Sequence, residues 1–566
     1  MNNINRRDLF TATLGIAAAA GGPSLLAKAQ SNSGRSTFLN LLRPPDYACA
    51  YEDLNQPIPL NLSNRSWKAR DITVTIEPHR VGDTEELPIH LSAPDSELTR
   101  VHIRWRTSVA PDILALGDAW ERSYGDLEWR ALVPERVMPW YFLTYDGVAV
   151  HGYGVKTAPN ALCFWQLDTQ GVSLWLDLSN GGSGVALGER QLAAATVVTR
   201  QGRAGVSPLG EARAFCKRMC NAPRLSKDPI YGTNDWYYAY GKNTAAQLLR
   251  DAEMLSSLTA GNRARPFAVI DMGWENNPTA FPDMERLARD MKNLQVRPGI
   301  WIRPLLAPET ANTNLLLPSA RFGKRPERVK ELAYDPTIPE ALEIVKGKIK
   351  RVVDWTYELV KHDFSTYDLL GRWGREMGAQ PTIPGWSLHD RTKTNAEVIR
   401  GLYESLRSMA SQQILIGCNT VGHLAAGLFE AQRTGDDTSG KLWERTRRMG
   451  VNTLAYRLPQ HNTFFAVDPD CVGITKDIPW ELNRQWLDLL ARSGAALFVS
   501  PAPDATGAEQ RKALRQAFAL AASGKAEGMP IDWFHDTTPR GWQFTNPAAT
   551  ERYDWMPPQG AWPFEV

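Results

Sequence analysis

Between residues 36 and 225, apolar and polar side chains alternate in short runs separated by turn residues. DITVTIEP, LPIHLSA, TRVHIRW, GVSLWLDLS and ATVVTRQG each show the period of two that turns one face of a strand toward a core. The pattern predicts an all-β, sandwich-like domain over 36–225. Gly-Gly-Ser-Gly at 181–184 reads as a loop, and SPLGEARAFCKRMCNAPRL (207–225) as a linking helix at the end of that domain.

From 226 onward the rhythm changes. Apolar strands now alternate with amphipathic helices, the signature of βα units around a parallel sheet. The strand candidates are IYGTNDWYYAY, PFAVID, PGIWIR, YELVKHDF, QILIGCN, FEAQRTGD, TFFAVD and AALFVSP. Between them lie helix candidates such as TAAQLLRDAEMLSSL, FPDMERLARDMKNL, IPEALEIVKGKIKRVVDW, NAEVIRGLYESLRSMA, ELNRQWLDLLARSG and GAEQRKALRQAFALAAS. Eight strands over 226–525 predict a (β/α)8 TIM barrel as the catalytic domain. A doubly wound sheet is the competitor, but no glycine-rich dinucleotide or phosphate loop follows the first strand. Residues 526–566 hold four Trp and many Pro without a clear period, and are expected to pack as a tail on the barrel.

The first residues, NINRRDLFTATLGIAAAAGGPSLLAKAQ, join Arg6-Arg7 to a short apolar stretch and an Ala-Lys-Ala site. This is the form of a signal peptide over 1–29, and the paired arginines favour the Tat route, with cleavage after Ala29. The mature chain is then expected in the periplasm or outside the cell, with no membrane anchor. The whole chain has 566 residues, with 64 basic and 62 acidic side chains. Arg6, Arg7, Lys28 and Asp8 leave with the leader, so the mature chain is formally neutral. That balance argues against a nucleic-acid partner. Cys49, Cys163, Cys216, Cys220, Cys418 and Cys471 are too few and scattered for a disulfide scaffold or zinc ribbon. Cys216 and Cys220 read as an unlinked structural pair.

In such a barrel the chemistry lies at the carboxyl ends of the strands. Acids and amphipathic aromatics gather there, without H-E-x-x-H, G-x-S-x-G or a His/Cys set of metal spacing. No metal or cofactor is expected. Apolar sugar faces stack on indoles and paired carboxylates cleave glycosidic bonds, so a glycoside or oligosaccharide is the expected substrate.

The strand ends resemble those of the clan D retaining α-glycosidases, the α-galactosidase-like glycoside hydrolase families 27 and 36, over roughly residues 207–525. GTNDW (232–236) resembles that clan's G-W-N-S-W, VIDMGW (269–274) its D-D-G-W, and PGIWIRP (298–304) the G-I-W-x-x-P of family 36. AYDPTIPEALEIVKGKIKRVVDWTYELVKHDF (333–364) resembles the approach to the nucleophile's K-x-D, and QRTGDDTSG (432–440) the acid/base segment. FAVDPD (465–470) and ALFVSP (496–501) are weaker echoes.

The resemblance implies a retaining double displacement with Asp363 as nucleophile and Asp436 as general acid/base, the latter raised by the nearby negative charge. It further implies Lys361 and Asp271 as sugar ligands, Trp236, Trp274 and Trp301 as pocket wall, and Asp235, Arg303, Cys418, Arg433 and Asp437 as further contacts. Bland alternatives stand beside these. Asp436 also reads as a helix cap with Asp437 as the acid, Arg433 as an ion-pair partner, and Cys418 as a core thiol. His362 and His423 read as structural, Asp468 and Asp470 as turn formers, and the seven Trp before 226 as sandwich core. One position departs from the clan: Met272 stands where a second sugar-reading acid is expected, and an axial hydroxyl left unpaired there costs about 1–3 kcal/mol. Asp235 or Glu275 compensates, or the sugar lacks that hydroxyl. The alternatives to hydrolysis are a transglycosylating relative and a non-catalytic carbohydrate-binding protein on a degenerate barrel.

Overall fold

The computed structural model describes residues 37–53, 55–82, 84–325 and 331–561. The leader expected over 1–29 lies outside the described residues. From Phe38 onward the chain forms one unit.

The alternating runs form two antiparallel sheets. One orders Met138–Pro139, Leu162–Asp168, Gly171–Asp177, Arg100–Arg106, Tyr47–Tyr51 and Pro57–Pro59. The other is built on the long strands Thr84–Leu98 and Val185–Arg200, with Val150–Val155, Tyr141–Tyr145 and Leu114–Gly117 beyond them. Ile72–Ile76 shows why the alternation works: Ile72, Val74 and Ile76 are buried while the threonines between them are half-exposed. Phe142 of one sheet meets Trp165 of the other edge-on at 5.7 Å, so the two share a core. Trp67, Trp105, Trp120, Trp129, Trp140 and Trp165 are buried and Trp175 half-buried, as sandwich core requires. The helix Pro208–Met219 follows, capped by Ser207 Oγ on Gly210 N, and Cys216 and Cys220 are buried free thiols.

The second half is a curled parallel sheet of nine strands: β1 (Tyr231–Asn234), β2 (Phe267–Ile270), β3 (Arg297–Ile302), β4 (Leu359–His362), β5 (Ile414–Gly417), β6 (Ala431–Arg433), β7 (Ala466–Asp468), β8 (Cys471–Ile474) and β9 (Leu497–Pro501). The ladder runs β7-β6-β5-β4-β3-β2-β1-β9-β8 and is not closed. This corrects the expected eight-stranded closed barrel. The seventh strand expected at TFFAVD forms over Ala466–Asp468, and a further strand follows at Cys471–Ile474, set off by Pro469, which has no N–H for a ladder, and by Asp470 at φ 72°. β7 pairs with β6 and β8 with β9, and Ala496 N donates to the Val467 carbonyl (3.0 Å) across the gap between β7 and β9.

Strand parity sorts the side chains into two layers. Phe267 and Val269, Leu359, Ile414 and Ile416, Ala431 and Phe498 gather in an inner cluster. Ala268 and Ile270, Val360, Leu415 and Val499 join the outer core under the helices. All six expected helices form; Asn395–Met409 begins with a capping box between Thr394 and Glu397. The tail is more ordered than its composition suggested: Gly528–Pro530, Gly541–Thr545 and Ala548–Arg552 make a three-stranded sheet, and Trp533, Trp542 and Trp555 are buried.

Three buried histidines carry a pH consequence. Burial pushes His362 and His461 down to about 3, and His423 to about 4. His362 lies edge-on to Tyr403, and His423 stacks on Trp140 at 4.8 Å with Nε2 on the Val155 carbonyl. An unfolded chain takes up these protons near pH 6.5 while the folded one does not, so their contribution is complete above pH 6.5 and falls as pH drops. By pH 5 each ring costs about 2 kcal/mol. Urea midpoints are therefore expected to fall clearly from pH 7 to pH 5; equal midpoints would contradict neutral buried rings.

Candidate active site

Parity decides which side chains meet at the carboxyl ends of the strands. Lys361 continues the inward series from Leu359, Asp271 that from Val269, Arg433 that from Ala431 and Cys418 that from Ile416. Lys361 Nζ lies 2.7 Å from Asp271 Oδ2, which also accepts from Asn234 Nδ2 at 2.7 Å. One inward step beyond Lys361 is Asp363. Its Oδ1 accepts from Phe364 N (2.7 Å) and Asn419 N (3.0 Å), and its Oδ2 from Trp301 Nε1 (2.9 Å). Burial alone would raise this carboxyl, but Arg122, Lys361 and the indole N–H together hold it below the usual range.

The segment just past the end of β6 carries Asp436-Asp437. Asp436 Oδ2 is 2.5 Å from Arg445 Nη2, and its Oδ1 is 3.2 Å from Arg122 Nη1. Asp437 Oδ1 lies 3.2 Å from Arg433 Nη2 and 3.7 Å from Arg122. Burial works against ionisation of Asp437, yet Arg433, Arg122, Lys361 and Arg445 bring it down to about 2. Asp436 is thus held by two guanidiniums.

Arg433 is 1% exposed and also pairs with Asp470 at 2.9 Å, while its Nη1 reaches Cys418 Sγ at 3.4 Å. Asp470, expected as a turn former, additionally accepts from Tyr237 OH and from Thr438 N (2.8 Å). Asp468 beside it is buried, and burial raises it to about 6. His362 and His423 play the structural roles described above.

Four expected contacts point elsewhere. Asp235 has the outward parity: its Oδ1 accepts from Asp271 N (2.8 Å), its Oδ2 from Asn243 Nδ2 (2.8 Å), and burial beside Asp271 raises it to about 7. It braces Asp271 from behind and cannot replace the acid absent at Met272; Glu275 is exposed. Arg303 turns back onto Asp368 and Glu331 and covers the Phe364 ring at 4.4 Å. Trp274 and Trp301 are buried with their N–H groups committed, Trp274 to the Trp301 carbonyl (2.9 Å) and Trp301 to Asp363. Trp301 thus orients Asp363, and Trp274 orients Trp301. Trp236 is half-buried with its ring 5.6 Å from that of Tyr240, and Met272 is half-buried.

Sequence reading missed three residues. Arg122 and Glu121 arrive from the antiparallel region, and Trp373 from the loop after β4; Arg122 Cζ lies 5.7 Å from the Trp373 ring centroid. No local motif marks them, because their role depends on packing between distant segments. Among the described residues no group of His, Cys, Asp and Glu is arranged to hold a metal, and no helix is long and apolar enough to cross a membrane.

No protein-family model matches the chain. Solved structures share its fold. TtGalA, an α-galactosidase from Thermus thermophilus in complex with p-nitrophenyl α-D-galactopyranoside, is 16% identical with TM-score 0.59, over 85% of this chain and 97% of that one. A variant of the family GH36 α-galactosidase AgaA of Geobacillus stearothermophilus, with 1-deoxygalactonojirimycin, is 11% identical with TM-score 0.58, over 85% and 72%. The galactosidase domain of the α-galactosidase-sucrose kinase AgaSK is 15% identical with TM-score 0.54, over 88% and 77%. The likeness is one of fold: an antiparallel region followed by a curled parallel sheet, shared with α-galactosidases.

Proposed function

We propose that this chain is an exported, metal-independent retaining α-glycoside hydrolase of α-galactosidase type, its site at the carboxyl ends of the curled parallel sheet. Asp363 carries the reading: a buried carboxylate oriented by three N–H donors, with Lys361 and Asp271 beside it. Its oxygen attacks the anomeric carbon as the bond to the leaving oxygen breaks, and Asp436 delivers a proton to that oxygen. Asp436 then takes a proton from water as the water displaces Asp363, and the starting anomeric configuration returns. Fold relatives hold galactosides: TtGalA with stachyose, and a second AgaA variant with raffinose. For this chain an α-glycoside is the proposed substrate class. The leader at 1–29 is proposed to export it to the periplasm or beyond.

Following aryl α- and β-glycosides by NMR tests the class. Cleavage of an α-glycoside with the α-anomer appearing first is expected; a β-anomer as first product would overturn it. Met272 addresses the sugar. A thioether leaves an axial hydroxyl unpaired, so Met272→Asp is expected to favour an aryl α-galactoside over its 4-deoxy analogue by roughly 10–100-fold more than the parent does. An unchanged ratio would mean that position 272 does not read that hydroxyl.

A further inference from the structure

The chemistry proposed above draws on the parallel sheet, yet the segment Asp118–Asp126 of the antiparallel region reaches the same carboxylates. Ser123 N donates to the Thr434 carbonyl (2.9 Å) and Ser123 O accepts from Asp436 N (2.9 Å), an isolated parallel bridge to Gly435 just past β6. Independent ties hold the segment there. Arg457 Nε pairs with Asp118 at 2.8 Å, Gln460 Nε2 donates to the same carboxylate (2.9 Å), and Asn452 Nδ2 donates to the Leu127 carbonyl (2.8 Å).

Its charged dipeptide then reaches both halves of the site. Glu121 accepts from Asn419 Nδ2 through one oxygen and from Tyr124 OH (2.6 Å) through the other; the backbone N–H of that same Asn419 holds Asp363. Arg122, 4% exposed, spans Asp436 and Asp437 from Nη1, with Glu121 3.5 Å from its Nε and Trp373 beside it. A planar guanidinium has the donors to serve several carboxylates at once; an ammonium is a point charge on a flexible stem.

We infer that Arg122 is a positioning residue of the active site, supplied by the antiparallel region, which fixes Asp436 and Asp437 in place opposite Asp363. The inference rests on the reading that Asp363 and Asp436 perform the chemistry. Docking of the segment does not depend on Arg122, because Ser123, Asp118 and Leu127 supply it. What Arg122 adds is an oriented charge between the carboxylates. It leads the cations that offset burial at Asp363, ahead of Lys361 and the Trp301 N–H, with Asp437 opposing.

Arg122→Met and Arg122→Lys, compared with the parent and Asp363→Asn on one aryl α-glycoside, test this. Arg122→Met is expected to lower kcat by ~10²–10³-fold, the scale for losing one preorganised charge, with KM little changed. The acid limb of its kcat/KM profile should move to higher pH. Arg122→Lys should restore the acid limb but not kcat. If Asp363→Asn is inactive while Arg122→Met keeps the parent kcat and acid limb, Arg122 merely joins two regions and the inference is overturned. If Asp363→Asn is itself fully active, the parent reading fails first, and this inference falls with it. Should Arg122→Met lose its cooperative melt, Arg122→Lys decides: a parental kcat overturns the inference and a reduced one supports it.

Discussion

Asp363→Asn is expected to lower kcat on an aryl α-glycoside by at least ~10⁴-fold, the scale at which removal of a nucleophile is felt in other hydrolases. The carboxylate accepts three N–H bonds and donates none, so the whole arrangement is built for an anion. An amide can keep its oxygen on Phe364 N and Asn419 N, but its NH2 then faces the Trp301 N–H, donor against donor. Fold is expected to survive, because Asp363 sits at the end of β4 and the inner layer of the sheet below it is apolar. Chemical rescue separates a lost nucleophile from a disturbed pocket. Asp363→Ala leaves space on the attacking side, and added azide should enter there to give a β-glycosyl azide from an α-glycoside. An α-glycosyl azide, or parental turnover in Asp363→Asn, would refute the assignment.

The clarity of that prediction reflects which parts of the site the sequence could reveal. Strand parity is local information: Leu359, Lys361 and Asp363 share a face whatever the rest of the chain does, and the same holds for Val269 with Asp271 and Ala431 with Arg433. Those residues face inward as the alternation requires. Parity also explains the failure at Asp235, one step out of phase with Asn234, which lies inward next to Asp271. Trp274 and Trp301 were legible as aromatics at strand ends, but the direction of an indole N–H is set by neighbours on other strands. Glu121 reaches Asn419 across 298 positions of sequence, and no periodicity links them. The split between β7 and β8 could be suspected from Pro469, which cannot donate to a ladder, though the continuation of the sheet at Cys471–Ile474 depends on pairing with β9.

Asp436→Asn should be costly in a manner that depends on the leaving group. A positioned general acid contributes about 10²–10⁴-fold, and that contribution is needed when the departing oxygen is basic. With an alkyl or sugar leaving group the variant is expected to lose that full factor; with 2,4-dinitrophenolate, which departs without a proton, the first step should be nearly unaffected. A plot of log kcat/KM against leaving-group acidity should therefore be shallow for the parent and steep for Asp436→Asn. Asp437 is the rival, and geometry separates the two. Asp437 is tied to Arg433, which is itself buried against Asp470, and the guanidiniums around it draw its carboxyl down against the effect of burial. Asp436 instead meets Arg445, whose side chain is 27% exposed, together with the buried Arg122 that also reaches Asp437. Asp437→Asn should leave the slope shallow while weakening binding. A steep slope in Asp437→Asn, with a shallow one in Asp436→Asn, would exchange their roles and require Arg433 to release its partner before each proton transfer.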